Sequence, residues 1–85
     1  MNRDELRATV LRLLGTIAPE ADPAQIKPTV SFRDQLDIDS MDFLNFMIAL
    51  HKELHVEIPE RDYSQLLTLD GCVEYLMRSL TARTT

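Results

Sequence analysis

The segment from residue 39 to residue 54 constrains the fold of this chain more than any other. It contains neither glycine nor proline, and Asp39 and Asp42 at its start suit a helix N-terminus, where carboxylates accept from unused amides. Its apolar residues cover far more than one stripe of a helix: Met41, Phe43, Leu44, Phe46, Met47, Ile48, Ala49, Leu50 and Leu54. A helix that is apolar nearly all round is either central to a bundle or offers a second apolar face.

Three further segments predict helices, and no segment has the alternation typical of a strand. Apolar residues at spacings of three and four predict an amphipathic helix from Asp4 to Ile17. Glu60 to Leu66 suit a short helix, and Thr68 suits the N-cap of a last helix. The apolar residues at core spacing in the first and last helices are Leu6, Val10, Leu13, Leu14, Ile17, Leu69, Val73, Leu76, Met77 and Leu80. The predicted fold class is all-α, a four-helix bundle with a short third helix.

A long loop, from Ala18 to Asp39, joins the first and second predicted helices. Prolines at positions 19, 23 and 28 interrupt it, because proline lacks an amide donor and clashes with the preceding turn. A loop of this length is usually functional or packed through its own side chains. The chain suits one domain spanning residues 1–85, with a core from about 4 to 80 and a frayed end at 81–85.

The composition disfavours several classes of function. The chain has 85 residues, with 9 Lys and Arg against 14 Asp and Glu, and a net charge of −5. A domain this small has little room for both a core and a deep catalytic cleft, which disfavours an enzyme acting alone. The acidic balance opposes binding to nucleic acid or anionic lipid, and no apolar run approaches the roughly 20 residues of a membrane span. We expect a monomer that binds no nucleic acid, does not insert into membranes and has basic partners.

The single cysteine and the first residues of the chain suggest the compartment. Cys72 alone cannot form an internal disulfide, and residues 1–5 lead into an amphipathic stretch rather than an apolar signal core. We therefore expect a cytoplasmic protein in which Cys72 is a buried structural thiol.

The acidity is concentrated around Ser40 and the long predicted helix. Residues 34–62 contain eight acidic and two basic side chains, a net charge of −6. Asp39 and Ser40 suit a simple helix cap, worth roughly 1 kcal/mol. A phosphate ester on Ser40 would also be favoured there, because the start of a helix attracts anions. Asp39 and Asp42 could then hold Mg²⁺ for an enzyme that transfers such a group.

The order and spacing of several motifs resemble the acyl carrier protein family. These motifs are Ser31-Phe32-Arg33-Asp34-Gln35-Leu36-Asp37-Ile38-Asp39-Ser40-Met41-Asp42, Met47-Ile48-Ala49-Leu50 with Glu53, Glu57-Ile58-Pro59 and Thr68-Leu69. The resemblance covers essentially the whole chain. It implies a protein without catalysis of its own, which carries 4′-phosphopantetheine on Ser40. A phosphopantetheinyl transferase would attach this arm from coenzyme A, with Mg²⁺ present only transiently. The thiol of the arm would then hold an acyl or aminoacyl group as a thioester.

The resemblance also implies partners and the residues around the arm and its cargo. The partners would be a loading ligase, a ketosynthase or an acyltransferase. Asp39, Met41 and Asp42 would flank the arm on Ser40. The implied docking residues are Leu44, Asn45, Ile48, His51, Lys52, Glu53 and Glu57. The implied acyl pocket is lined by Phe32, Phe46, Leu50, Ile58, Tyr63, Leu66 and Cys72.

The chain departs from the family's pattern at the loop before Ser40 and on the docking face. Asp37 replaces a usual glycine and is less free to adopt a left-handed backbone. Three positions that are commonly acidic in fatty-acid carriers are occupied here by Asn45, His51 and Lys52. This difference favours a carrier for a specialised lipid, polyketide or aminoacyl pathway over primary fatty-acid biosynthesis.

Two aromatic residues bear on the cargo. Phe43 is either an exposed ring beside the arm or a core residue. Tyr63 stands where a small residue often lines the acyl pocket. Its size predicts a shortened pocket and a cargo that is short, polar or left outside.

Other interpretations of the same residues remain open at this point. A carrier-fold adaptor could act through its acidic and apolar surface without a prosthetic group. A hydrolase that uses Ser40 has little support, because no histidine neighbours that serine in the sequence. His51 and His55 lie four residues apart but have no third ligand nearby, so we expect no metal site.

Overall fold

Four α-helices and two 3₁₀ helices make up the structure, a computed structural model that describes residues 1–83. The α-helices are α1 (Arg3–Ile17), α2 (Phe32–Gln35), α3 (Ser40–Leu54) and α4 (Leu69–Arg83). The 3₁₀ helices are Pro23–Gln25 and Glu60–Leu66. No strand occurs within the described part of the chain. The prediction of an all-α fold is confirmed.

Helix α1 lies within one residue of its predicted bounds. The Asn2 side chain accepts a hydrogen bond from the Glu5 amide (2.8 Å), and the Glu5 carboxylate accepts one from the Asn2 amide (3.2 Å). This reciprocal capping box satisfies two amides that a helix start leaves without partners. An exposed ion pair between Arg3 and Glu74 links α1 to α4. Such exposed pairs contribute little, so burial of the apolar face is what holds α1 in place.

Helix α3 has a capping box of its own and an inner face that fills the core. Asp39 Oδ1 accepts from the Asp42 amide (2.8 Å), and Asp42 Oδ2 accepts from the Asp39 amide (3.3 Å). The predicted cap at Asp39 is therefore confirmed. The buried residues of α3 are Phe43, Phe46, Met47, Leu50 and Leu54. At the other end of the helix, the His55 amide donates to the His51 carbonyl (2.8 Å).

The connection between α1 and α3 contains two short elements that the sequence did not predict. Asp22 caps the 3₁₀ turn, and Ser31 caps the four-residue helix α2. The Gln35 side chain then closes the loop: it accepts from the Lys27 amide and donates to the Lys27 and Val30 carbonyls, each at 2.9 Å. These bonds join residues eight and five positions apart, so no local sequence pattern indicates them.

The segment Glu60–Leu66, hereafter the 60–66 segment, has its predicted bounds but is a 3₁₀ helix. Two side-chain hydrogen bonds fix it to α4. The Tyr75 hydroxyl donates to an Asp62 carboxylate oxygen (2.8 Å), and the Arg78 guanidinium donates to Gln65 Oε1 (3.2 Å). The segment therefore packs against α4.

Helix α4 begins at a tight junction with the 60–66 segment. The Thr68 hydroxyl accepts from the Gly71 amide (3.0 Å), which confirms Thr68 as the predicted cap. A Cβ atom on Gly71 would lie 2.5 Å from the Gln65 carbonyl oxygen, so only glycine fits without a shift. The helix continues to Arg83. Residues 84 and 85 of the expected frayed end lie outside the described residues.

One apolar core joins all these elements. Its largest fully buried side chains are Phe32, Phe46, Leu6, Leu14, Met47, Leu50, Leu66, Leu69, Leu76, Val10, Val56 and Cys72. Two backbone hydrogen bonds tie the connection to the start of α4, from the Phe32 amide to the Leu67 carbonyl (2.7 Å) and from the Asp70 amide to the Pro28 carbonyl (3.0 Å). Within residues 1–83 no helix combines the length and the apolar character that crossing a bilayer requires.

Candidate functional site

Ser40 is the first residue of α3 and is exposed to solvent. The Asp42 amide donates to the Asp39 side chain, and the Phe43 amide donates to the Asp39 carbonyl (3.0 Å). The first two amides of a helix, here those of Ser40 and Met41, have no acceptor within the helix itself. An anion on the Ser40 hydroxyl would lie beside these amides and at the positive end of the helix dipole.

The two carboxylates that flank Ser40 are part of the helix start. Asp39 Oδ1 and Asp42 Oδ2 accept the two capping bonds, so each carboxylate has a second oxygen outside the box. The box fixes the backbone on both sides of Ser40. Throughout the described chain, no group of three or more His, Cys, Asp or Glu side chains is placed to hold a metal ion.

The backbone before Ser40 does not require the glycine that the family usually has. Of the described residues other than glycine, His55 is the one with a positive φ, at 55°. Asp37 therefore occupies its position without a left-handed backbone. The expected difficulty at this departure from the family pattern does not arise.

An apolar stripe begins beside Ser40 and follows the outside of α3. It consists of Met41, Leu44 and Ile48, which share one face because they are three and four residues apart. We call it the outer stripe. Met41 is 61% exposed and Ile48 is 42% exposed, whereas Leu44 is half-buried. Of the two alternatives for this helix, a central position or a second apolar face, the exposed outer stripe supports the second.

The polar residues predicted to dock partners are all exposed. They are Asn45, His51, Lys52, Glu53 and Glu57. Glu53 forms an exposed ion pair with Arg12 of α1. His51 Nδ1 donates to the Val56 carbonyl (2.8 Å), so this histidine also holds the turn after α3. Neither contact has a recognisable sequence pattern, because the ion pair joins residues 41 positions apart and the histidine bond depends on the geometry of the turn.

The residues predicted to line an acyl pocket divide into two groups. Phe32, Phe46, Leu50, Leu66 and Cys72 are fully buried in the core. Ile58 and Tyr63 are half-buried and line a surface groove of about 220 Å³ instead. The other residues of this groove are Met47, Ile48, His51 and Glu57. The groove thus shares Ile48, His51 and Glu57 with the predicted docking residues, a meeting that spacing along the chain does not reveal.

Phe43 faces the core, so the alternative of an exposed ring beside Ser40 is wrong. It is 7% exposed. Its ring packs edge to face on Tyr63, with centroids 6.0 Å apart, and on Phe46, with centroids 6.5 Å apart. Phe46 in turn packs on Phe32 at 5.6 Å. We call these four residues, Phe32, Phe46, Phe43 and Tyr63, the aromatic row.

Two buried titratable groups lie in this part of the core. Burial raises the pKa of the Cys72 thiol to about 12, so the thiolate that reacts as a nucleophile is disfavoured at neutral pH. The prediction of a buried cysteine is confirmed. Burial, and then the hydrogen bond to Asp62, raise the pKa of Tyr75 to about 12. Both side chains therefore belong to the scaffold.

Comparison with known proteins identifies the family of this chain. The family described as "Phosphopantetheine attachment site" matches residues 4–76. The acyl carrier protein of Thermosynechococcus vestitus is 28% identical over 82 residues, which cover 96% of this chain and 100% of that protein. The mitochondrial acyl carrier protein of Neurospora crassa is 30% identical over 77 residues, which cover 91% of this chain and 58% of that protein.

A solved structure has the same fold as this chain. The structure of an acyl carrier protein from Enterococcus faecalis has a TM-score of 0.78 to this chain, at 23% sequence identity, and the match covers 93% of this chain and 99% of that one. The chain belongs to the acyl carrier protein family, whose members carry phosphopantetheine and perform no catalysis of their own. The predictions of the family and of a non-catalytic carrier are confirmed. A phosphopantetheinyl transferase and biosynthetic enzymes are the partners that such a carrier requires.

Proposed function

We propose that this protein carries its 4′-phosphopantetheine arm on Ser40 and delivers acyl groups, or aminoacyl groups, within a specialised pathway. The observation that carries the proposal is the position of Ser40, exposed as the first residue of α3. The surroundings fit the group, because the Ser40 and Met41 amides would be available to a phosphate at the helix start and the outer stripe offers apolar surface to the arm. When bound, the arm supplies a thiol that holds the cargo as a thioester.

Ser40 needs no catalytic base within this chain. A phosphopantetheinyl transferase would activate the hydroxyl and bring coenzyme A, while this chain presents the serine on a rigid helix start. The second oxygens of Asp39 and Asp42 are available to Mg²⁺ at that moment. The role of this chain is therefore to position Ser40 and to be recognised.

Intact-mass spectrometry tests the attachment directly. The chain is incubated with coenzyme A, Mg²⁺ and a transferase of broad specificity, and the mass is expected to rise by one phosphopantetheine group. Ser40→Ala should abolish the gain and Ser31→Ala, at the cap of α2, should keep it. No gain in the unchanged chain would favour the adaptor without a prosthetic group. A mass gain that persists in Ser40→Ala would show that the arm is attached to another residue.

The charges beside the outer stripe support a specialised pathway. Asn45, His51 and Lys52 replace acidic residues that fatty-acid carriers commonly present, and Glu53 is paired with Arg12. Fewer negative charges on α3 weaken the attraction to a basic docking surface and slow association. A ligase, ketosynthase or acyltransferase with a more apolar surface would suit this helix better.

The proposed compartment remains the cytoplasm.

Charge substitutions on α3 test this electrostatic argument. Asn45→Glu and Lys52→Glu together should speed association with a fatty-acid ketosynthase, most strongly at low salt. His51 is left unchanged because it holds the turn after α3. Arg7→Glu, an exposed change to negative charge on α1, serves as the control and should have little effect. An unchanged association rate in the α3 variant would contradict the electrostatic explanation of specialisation.

A further inference from the structure

The aromatic row fills the space between α3 and the 60–66 segment. Tyr63 stands at the outer end of the row, where it is half-buried and borders the surface groove. Its ring meets Phe43 edge to face, with an interplanar angle of 82°. Phe43 is nearly buried, and Phe46 behind it is completely buried. Edge-to-face contacts of this kind hold rings in definite positions, so the row closes the route from the groove to the core.

The 60–66 segment is held in place on the side away from α3. Asp62 accepts from the Tyr75 hydroxyl, and Gln65 accepts from Arg78, so both bonds join the segment to α4. The backbone of Gln65 also lies against Gly71, with no room for a side chain between them. Tyr63 is therefore carried on a segment that is fixed both before and after it. Moving the Tyr63 ring out of the row therefore requires displacing a segment that is bonded to α4.

We infer that the Phe43–Tyr63 ring pair closes the interior of this carrier, so that an acyl chain on the arm stays on the outer surface. This inference rests on the proposed attachment at Ser40 and makes Tyr63 the residue that keeps the interior closed to the cargo. It predicts that the protein does not distinguish long from short alkyl chains by burying them. The partner enzyme would instead recognise the cargo.

The outer surface offers a place for a short cargo. The outer stripe leads from Ser40 to Ile48, and Ile48 also lines the groove. Eight residues of helix correspond to about 12 Å along the axis, so the groove lies well beyond the attachment serine. Its apolar floor includes Met47 and Ile58, and its rim carries His51 and Glu57. A short acyl group with a hydrogen-bonding substituent suits this lining better than a long alkyl chain does.

Thioester accessibility in the loaded carrier tests the inference. The arm is loaded with acetyl or octanoyl groups, and hydroxylamine is added to attack the thioester carbonyl and release the thiol. With each rate divided by that of the same acyl group on free pantetheine, both thioesters on the unchanged chain should be cleaved equally fast. Tyr63→Ala should slow octanoyl cleavage by roughly tenfold, as expected for burial of about two methylenes, whereas Tyr63→Phe should behave like the unchanged chain. Slower octanoyl cleavage in the unchanged chain would overturn the inference. Equal rates for the two thioesters in Tyr63→Ala would show that Tyr63 is not the residue that closes the interior.

A second measurement needs no prosthetic group and so separates this inference from the proposed function. Apolar cavities left by removing a large side chain stay dry and bind xenon. In the unmodified chain, xenon should leave the methyl NMR signals of Leu50 and Leu66 unchanged. In Tyr63→Ala it should shift them, whereas in Tyr63→Phe it should not. Shifts in the unchanged chain would show an open interior and contradict the inference, whatever the fate of Ser40.

Discussion

The two faces of α3 are both apolar, yet they have opposite environments. On the inner face Phe46 and Leu50 are fully buried, and on the outer face Met41 and Ile48 remain 61% and 42% exposed. Full burial of one such side chain stabilises a fold by about 1.5–3 kcal/mol. The outer stripe forgoes that stabilisation in the free protein. This contrast supports our proposal that α3 contributes stability through its inner face and partner recognition through its outer face.

Phe46→Ala gives the largest expected effect and tests the inner face. Phe46 is fully buried and its ring contacts both Phe32 and Phe43, so the cavity cannot close by a small shift. We expect the free energy of unfolding to fall by about 3–5 kcal/mol. That is a large part of the roughly 5–15 kcal/mol typical of a small domain. Urea unfolding followed by circular dichroism measures it, and a loss below about 1 kcal/mol would contradict the assignment of stability to this face.

The two glycines of the chain test how tightly the helices outside α3 are packed. Gly71→Ala should lower the free energy of unfolding by about 1–3 kcal/mol, because its Cβ would meet the Gln65 carbonyl oxygen at 2.5 Å. Gly15 lies within α1, and apart from the adjacent helix backbone no atom lies within 4 Å of an added Cβ. Gly15→Ala should therefore raise stability by about 0.5–1 kcal/mol. Thermal unfolding of both variants checks the opposite signs, and a stabilising Gly71→Ala would show that the junction with the 60–66 segment is loose.

The pH dependence of stability tests the same scaffold at Cys72. Burial raises the thiol pKa from an ordinary 9.0 to about 12, so the folded state holds the proton more tightly than the unfolded state. This stabilisation is fully present below pH 9 and is lost as the pH rises toward 12. The loss should approach about 1.4 kcal/mol per pH unit in that window. Urea midpoints at several pH values, compared with Cys72→Ala, measure it, and equal slopes for the two chains would contradict a buried thiol.

The features predicted correctly from the sequence are those with local causes. The start of α3 follows from Asp39 and Asp42, three residues apart, and the start of α4 follows from Thr68. The bounds of the 60–66 segment follow from Pro59, although its 3₁₀ geometry does not. These features depend on neighbours along the chain, and neighbours are what a single sequence displays.

The features that the sequence could not predict depend on residues brought together by the fold. The position of Phe43 in a nearly all-apolar helix does not show whether its ring is buried. Its ring is buried because it packs against Tyr63, a contact that the fold creates. Gln35 orders the connection through bonds to Lys27 and Val30 that have no sequence signature. The residues predicted to line an acyl pocket lie partly in the packed core and partly at a surface groove, a division that spacing along the chain does not show.

Met41→Ala gives the smallest expected change in stability and tests the outer face against Phe46→Ala. Met41 is 61% exposed, so its truncation should change the free energy of unfolding by less than about 0.5 kcal/mol. If the outer stripe serves recognition, the same change should weaken modification by a phosphopantetheinyl transferase by more than about fivefold in kcat/KM, as expected for an interface residue worth over 1 kcal/mol. Urea unfolding and the rate of mass gain on one preparation measure both quantities. A loss of stability close to that of Phe46→Ala would contradict the assignment of stability to the inner face of α3. An unchanged rate of modification would contradict a role of the outer face in recognition.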